Sequence, residues 1–199
     1  MVITAIRQQQ KDTRRYSIYI DSAYSFSLSQ DALLQSGLAT GQELDEERLE
    51  AHKQLSHDDR LYARALRYAA MRPRSAWEIQ TYLDKHHSPA PLTEQITNKL
   101  CDLGLLDDQA LAASLVRDRQ LLRPTSRLGL IKILRQKRIP SDIIEQVTAE
   151  VVDENQALKE VIEKKRRLPR FRNDDKLLMQ YLARQGFRYD DIKRALGGD

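Results

Sequence analysis

Residues Arg72–Lys85 read RPRSAWEIQTYLDK, and residues Arg123–Gln136 read RPTSRLGLIKILRQ, the same phrase displaced by 51 residues. Each copy has an Arg-Pro leader, a serine in the same place and apolar residues in register. Ser75 and Ser126 are candidate helix N-caps, because a serine hydroxyl accepts a bond from a free N–H of the first turn. Counting from each serine, positions +4, +7 and +8 are Ile79, Tyr82 and Leu83 in the first copy and Leu130, Ile133 and Leu134 in the second. That spacing puts them on one face of a helix.

The same displacement carries Leu92, Ile96 and Leu100 onto Ile143, Val147 and Val151, so a second helix recurs in register. A displacement of 48 residues gives a third copy, in which Leu178, Tyr181 and Leu182 repeat Leu130, Ile133 and Leu134, and Phe187, Asp190 and Ile192 repeat Ile139, Asp142 and Ile144. Asp174 is the cap there. Each copy is preceded by another helix, at about residues 57–71, 107–122 and 154–166. Pro73, Pro124 and Pro169 end these helices, since proline lacks the backbone donor and disfavours helix in the residue before it. Matched apolar positions under one constant offset exceed what chance amphipathic matches supply. A period near 50 residues implies units that stack on their neighbours.

Residues before Asp45 differ. RYSIYI and YSFSL alternate across a short DSA connection, with Tyr16, Ile18 and Ile20 on one face and then Tyr24, Phe26 and Leu28. VITAI adds a third strand, and SQDALLQSG is a short helix capped by Ser29 and ended at Gly37. A ribbon this small needs a helix or a partner to lean on. From Asp45 the period becomes helical; DEERLEAHKQL carries acids in its first turn, and SHDDRLYARALRYAAMR follows with Ser56 and Asp59 at capping-box spacing, predicting a second helix. The expected architecture is mainly α: tandem three-helix modules, three repeats of about 50 residues in an elongated curved array, with a small N-terminal β-hairpin segment. The expected divisions are residues 1–44, 45–106, 107–152 and 153–199.

Composition agrees. Aromatic residues are 6% and glycines number seven in 199 residues, which argues against a strand-rich sandwich. The single cysteine, Cys101, excludes an intrachain disulfide and is expected to be a small buried hydrophobe in a reducing cytoplasm. No apolar run approaches the roughly 20 residues of a membrane span, and the first residues lack a secretory h-region, so a soluble, unprocessed cytoplasmic protein is expected.

Four ordered segments, ALRYAAMRPRSAWEIQTYL, KLCDLGLLDDQALAASLVRDR, IKILRQKRIPSDII and LMQYLARQGFRYDDIKRAL, resemble the RecX family of bacterial regulators over roughly Leu61–Leu196. The hairpin followed by GLATGQELDEERL also resembles the leader of longer members. The sequence departs from the family pattern at Leu105 and Leu111, where aromatic residues are usual, and at Arg138, where glycine is usual. If the chain there needs a positive φ, a non-glycine residue costs about 1 kcal/mol or more. The resemblance implies a non-enzymatic protein, without cofactor, that binds the recombinase RecA, lies in the helical groove of its filament on DNA, and suppresses strand exchange and ATP hydrolysis. It implies a monomer working on a RecA filament, with single- or double-stranded DNA as a further partner.

Charge points to the same middle region. Residues 117–138 hold eight basic side chains (Arg117, Arg119, Arg123, Arg127, Lys132, Arg135, Lys137 and Arg138) against Asp118 alone. Residues 159–172 hold seven, Lys159, Lys164, Lys165, Arg166, Arg167, Arg170 and Arg172, against Glu160 and Glu163. Such runs are commonly solvated helix faces. Here acids collect elsewhere, and a basic stripe over two adjoining modules suits a polyanion or an acidic protein groove. Arg72, Arg74 and Arg123 sit before equivalent helices; the expected face comprises these with the basic residues of both runs other than Lys159. An arginine at such a place can instead satisfy the last carbonyls of the preceding helix. The Ser75 and Ser126 hydroxyls are caps and not nucleophiles, because no base is placed beside them.

Other chemistry finds no frame. His52, His57, His86 and His87 lack metal-ligand spacing, and no glycine-rich phosphate loop follows a strand. The acid pairs Asp107-Asp108 and Asp190-Asp191 stand where helices begin and suit the helix macrodipole. Trp77 and Tyr82 could stack on a base, but their place at the matched apolar spacing assigns them to the core. The alternative reading is a helix-turn-helix-like DNA-binding regulator, which needs one exposed recognition helix with Arg, Asn or Gln directed to base edges.

Overall fold

The structure is a computed structural model, and it describes residues 1–149 and 154–197. The expected boundary at 152/153 and the repeat position Val151 lie outside the described residues. Three antiparallel strands, β1 (Ile3–Gln8), β2 (Arg15–Ile20) and β3 (Ala23–Ser29), form a sheet in that order. Asp21 and Ser22 both have positive φ, at 48° and 70°, which closes the two-residue β2–β3 turn with the twist its strands need. Ile3, Ile18, Ile20, Phe26 and Leu28 pack with Leu38, Leu44 and Leu49 into one apolar cluster. A register shift after Ile18 leaves Tyr24 outside it and exposed.

Helix α1 (Gln30–Ser36) is capped by Ser29 and closed by Gly37 at φ 64°, as its sequence predicts. The next helix corrects an expectation: α2 runs unbroken from Glu46 to Ala70, 25 residues, with its cap at Asp45. Ser56 and Asp59 start no second helix, because their side chains are spent on the sheet. Ser56 Oγ donates to Ser27 O at 2.7 Å, and Asp59 accepts from Ser29 N at 2.9 Å and Ser29 Oγ at 2.5 Å. Arg15 completes the set with a buried ion pair to Asp59 at 2.8 Å. This is how the small sheet finds the helix it needs to lean on.

The helices after α2 are α3 (Ala76–Asp84) and α4 (Ala90–Asp102), then α5 (Asp108–Leu122), α6 (Arg127–Gln136) and α7 (Ser141–Ala149), then α8 (Glu154–Arg166), α9 (Pro169–Arg172), α10 (Asp175–Arg184) and α11 (Tyr189–Ala195). Leaving aside the one-turn α9, this is a long helix followed by two shorter ones, three times over. In every middle helix the +4 and +8 positions are fully buried: Ile79 and Leu83, Leu130 and Leu134, Leu178 and Leu182. The caps are Ser75, Ser126 and Asp174, each accepting from the N–H three residues on. The third helices repeat a feature absent from the apolar pattern: Thr97 and Thr148 are buried and donate to Thr93 O and Ile144 O, four residues back, each at 2.7 Å.

The chain divides into two compact units, one of Met1–Arg72 with Ile79–Leu103, the other of Pro73–Glu78 with Gly104–Asp199. The sheet therefore shares a unit with α2 and α4, and the second and third modules share the other with the first turn of α3. Two side chains correct the expected core. Trp77 is 41% exposed, and Cys101 is exposed. Both lie off the buried stripes: Trp77 is at +2 from its cap, about 200° round the helix, and Cys101 is one step, about 100°, past buried Leu100. Tyr82, at +7, is half-buried and stacks on Tyr68 with ring centroids 4.1 Å apart.

Each middle helix ends in the same turn. His87, Arg138 and Gly186 have φ of 58°, 55° and 88°, and the following N–H reaches back to Leu83 O, Leu134 O and Leu182 O at 3.1, 3.2 and 3.3 Å. That is a Schellman closure, which calls for a left-handed residue. Arg138 thus pays the left-handed penalty at a place where the third module has glycine. Replacing Arg138 by glycine is expected to raise unfolding free energy by about 0.5–1 kcal/mol. Gly186→Ala is expected to lower it by about 2 kcal/mol, since its Cβ would also stand 2.7 Å from Ser126 Oγ. Chemical denaturation followed by circular dichroism checks both; shifts of the same sign would contradict a shared turn.

Thr93 is the odd member of the third-helix positions, occupied otherwise by Ile144 and Ile192. Its buried hydroxyl lacks a hydrogen-bond partner. Thr93→Val, which keeps the shape and removes the stranded group, is expected to stabilise the first unit by about 1 kcal/mol in the same denaturation measurement.

Candidate functional site

The second unit brings its cations together through the way its middle helices begin. A helix start leaves N–H groups without partners, and Ser126 answers for α6 by accepting from Gly129 N at 3.0 Å. The same hydroxyl donates to Gln185 O at 2.6 Å, in the closing turn of α10. Gly129 and Gly186 allow that approach: a Cβ on Gly129 would lie 3.0 Å from Gln185 O, and one on Gly186 3.1 Å from the Leu128 Cβ. Glu154, at the start of α8, accepts from Arg127 N at 3.3 Å.

The first turn of α3 is held by equivalent residues of the second module. Ser75 and Glu78 form a reciprocal capping box, with Glu78 N to Ser75 Oγ at 3.2 Å and Ser75 N to Glu78 Oε2 at 3.1 Å. Asp108, at the start of α5, accepts from Ala76 N at 3.0 Å. Glu78 Oε1 pairs with Lys137 Nζ at 3.0 Å, and the Arg138 guanidinium lies 5.9 Å from the centre of the Trp77 ring. Position by position, Trp77-Glu78 meets Lys137-Arg138 where Leu128-Gly129 meets Gln185-Gly186. The two joints share a plan and differ in chemistry, one charged and aromatic, the other close-packed.

Burial pushes the Asp108 carboxyl above its ordinary 3.8, with Asp107 and Glu78 adding to the rise and the Ala76 N–H opposing it. A raised carboxyl favours the folded state most below its unfolded pKa. Its contribution is lost as pH rises through the folded value, so at neutral pH the Asp108 charge costs this joint some stability.

The expected binding residues separate into two groups. Arg117, Arg123, Arg127, Lys132 and Arg135 are exposed and form no ion pair among the described residues, and the same holds for Lys164, Arg167 and Arg172. Leu130 and Leu134 commit one face of α6 to the core, while Leu128, Lys132 and Arg135 stand on the other at i, i+4 and i+7. The rest differ: some are paired or set back, while Arg138 and Arg170 stay exposed beside aromatic rings. Arg74 is buried, so its guanidinium is withdrawn from the surface; Arg72 is exposed, and Arg119 is half-buried. Lys137 serves Glu78. Arg166 pairs with Asp175 at 2.6 Å and donates to Arg172 O at 3.0 Å. Lys165 lies over Tyr181 at 4.4 Å, and Arg170 over Phe171 at 5.8 Å.

A groove of about 520 Å³ is lined by Trp77, Leu128, Ile131, Lys132, Arg135, Gln136 and Arg138. Trp77, assigned to the core from sequence, lines this groove instead, and its +2 place, opposite the buried stripe, was a sufficient signal of exposure. A second groove, of about 760 Å³, lies in the first unit and carries Arg14, Arg60, Arg64 and Arg67 with Asp12, Asp31 and the paired Asp59. Its signal was the i, i+4, i+7 spacing of the arginines on α2. Among the described residues, no helix is long and apolar enough to cross a membrane.

Comparison with known proteins places this architecture. Residues 1–45 match the family model of the regulatory protein RecX N-terminal domain, and residues 107–147 match that of the RecX second three-helix domain. A regulatory protein RecX of Bacillus velezensis is 31% identical over 202 residues, covering 98% of this chain and 76% of the relative. That of Lactobacillus gasseri is 31% identical over 153 residues, and the match spans 77% of this chain and 56% of the relative's length. A crystal structure of a regulatory protein RecX superposes with a TM-score of 0.79 at 29% identity, covering 96% of this chain and 97% of the other. With two family models, a relative matched along 98% of this chain and a matching crystal structure in agreement, the chain belongs to the RecX family of regulatory proteins.

Proposed function

We propose that the protein regulates homologous recombination and DNA repair by binding RecA and its filament on DNA, inhibiting ATP hydrolysis and strand exchange. The observation that carries this is the set of exposed cations on two successive modules, without an ion pair among the described residues, in a chain of the RecX family. Arg117, Arg123, Arg127, Lys132 and Arg135 on α5 and α6, with Lys164, Arg167 and Arg172 around α8 and α9, supply positive charge not consumed by the fold. Such a stripe suits a surface of acidic side chains and phosphates, and several weak contacts held in one chain add through effective concentration. The work is association, so no catalytic residue is assigned. The protein acts as a monomer in the cytoplasm, with RecA as its protein partner.

A recognition helix of the helix-turn-helix kind fits less well. Its N-terminal residues must reach base edges, whereas the first turn of α6 is occupied by Gln185, Gly186 and Glu154.

The test is RecA ATPase activity on single-stranded DNA. The protein is expected to inhibit below one molecule per RecA. Reversing Arg123 and Arg127 together to glutamate is expected to raise the concentration needed at least about tenfold, a loss of about 1.4 kcal/mol. Lys11→Glu, on the β1–β2 connection, is expected to leave it unchanged. Equal inhibition by the double reversal and the wild type would overturn the chosen face; no inhibition at any ratio would overturn the function.

A further inference from the structure

Trp77 is the one tryptophan of the chain, and 41% of it faces solvent. Nothing in the packing requires an indole there: the buried stripe of α3 is made by Ile79 and Leu83, and the equivalent residue of the second module is Leu128. Yet the position is closely held. Its backbone lies between Ser75, Glu78 and the Asp108 carboxylate, all hydrogen-bonded, and Arg138 stands beside the ring. Arg138 lines the groove from a left-handed backbone, at a cost a glycine would avoid.

The groove joins the indole to exposed Leu128 and half-buried Ile131, and its charged lining is Lys132, Arg135 and Arg138 without any acid. At about 520 Å³ it falls in the range of small-molecule sites, about 300–1,000 Å³. An aromatic face ringed by cations is what unpaired nucleotides need, because every base has a face to stack and every link carries a negative phosphate. We propose that this groove is a stacking subsite for single-stranded nucleic acid, in which one base lies against Trp77 while Lys132, Arg135 and Arg138 neutralise the flanking phosphates. An acidic peptide would satisfy the cations, but an apolar anchor of a protein partner favours a closed, fully desolvated pocket. This groove is open, and the exposed indole in its lining suits a flat ring. The inference rests on the proposed function only in sharing its face, and it requires no RecA.

Trp77 reports on its own site. Titrating the full chain with a short oligothymidylate at low salt is expected to quench the tryptophan emission to saturation, with affinity falling steeply as salt rises. Inorganic polyphosphate, which offers the charge without the bases, is expected to compete without comparable quenching. By anisotropy of a labelled oligonucleotide, Trp77→Ala is expected to weaken binding by about tenfold or more, and Trp77→Phe to restore it to within about threefold. The exposed position keeps both variants folded, as circular dichroism would verify. Binding without quenching, equal quenching by polyphosphate, an unchanged affinity in Trp77→Ala, or quenching by a poly-glutamate peptide and not by the oligonucleotide would each overturn the assignment. All are read without RecA, so they are separable from failure of ATPase inhibition.

Discussion

The free N–H groups at the starts of α3 and α6 are the constraint around which the modules are arranged. Capping serine supplies one acceptor and is not enough. The next acceptor comes from the first helix of the following module, Asp108 for Ala76 N and Glu154 for Arg127 N. The same first turn receives the closing turn of the following middle helix, Lys137-Arg138 in one case and Gln185-Gly186 in the other. A module of this size has too little core to stand alone, so its unsatisfied end and its neighbour's turn answer each other. That is the physical content of nearest-neighbour stacking in a repeat.

This plan decides which cations remain for a partner. Where a charge closes the fold it is half-buried and paired, as at Lys137 with Glu78. Breaking such a pair leaves the other group stranded and acts through stability. Where α6 has buried Leu130 and Leu134, its opposite face has no structural use for Lys132 and Arg135. The joint between the second and third modules is sealed by two glycines and a serine; the one made by the start of α3 is built from Trp77, Glu78, Lys137 and Arg138 and leaves an open groove. Repetition sets the framework, and departure from it at Trp77 and Arg138 makes the site.

Much of this was legible in the sequence because it depends on period and punctuation. The +4 and +8 stripe and the three caps are local, and they appear where the spacing puts them; the left-handed backbone at Arg138 followed from the resemblance, whose members usually have glycine there. What was not legible depends on partners distant in the chain. Ser56 and Asp59 have the spacing of a capping box, but Ser27, Ser29 and Arg15 claim their side chains, and α2 passes through unbroken. Arg74 reads as a surface charge and is buried. Cys101 was misplaced by residue type, since a thiol is usually interior, and Trp77 by being counted with the apolar stripe, whereas their helical phase already put them outside. Within a repeat, phase is the better guide than hydrophobicity.

The central claim is that the exposed cations of the second and third modules meet the RecA filament. Hydrogen exchange of the chain, free and bound to RecA assembled on single-stranded DNA, tests it without any substitution. The account predicts slowed exchange in peptides covering residues 117–138 and 164–172, with those of β1–β3 unchanged. Protection confined to the sheet and α2, with α5 and α6 exchanging as in the free protein, would contradict it.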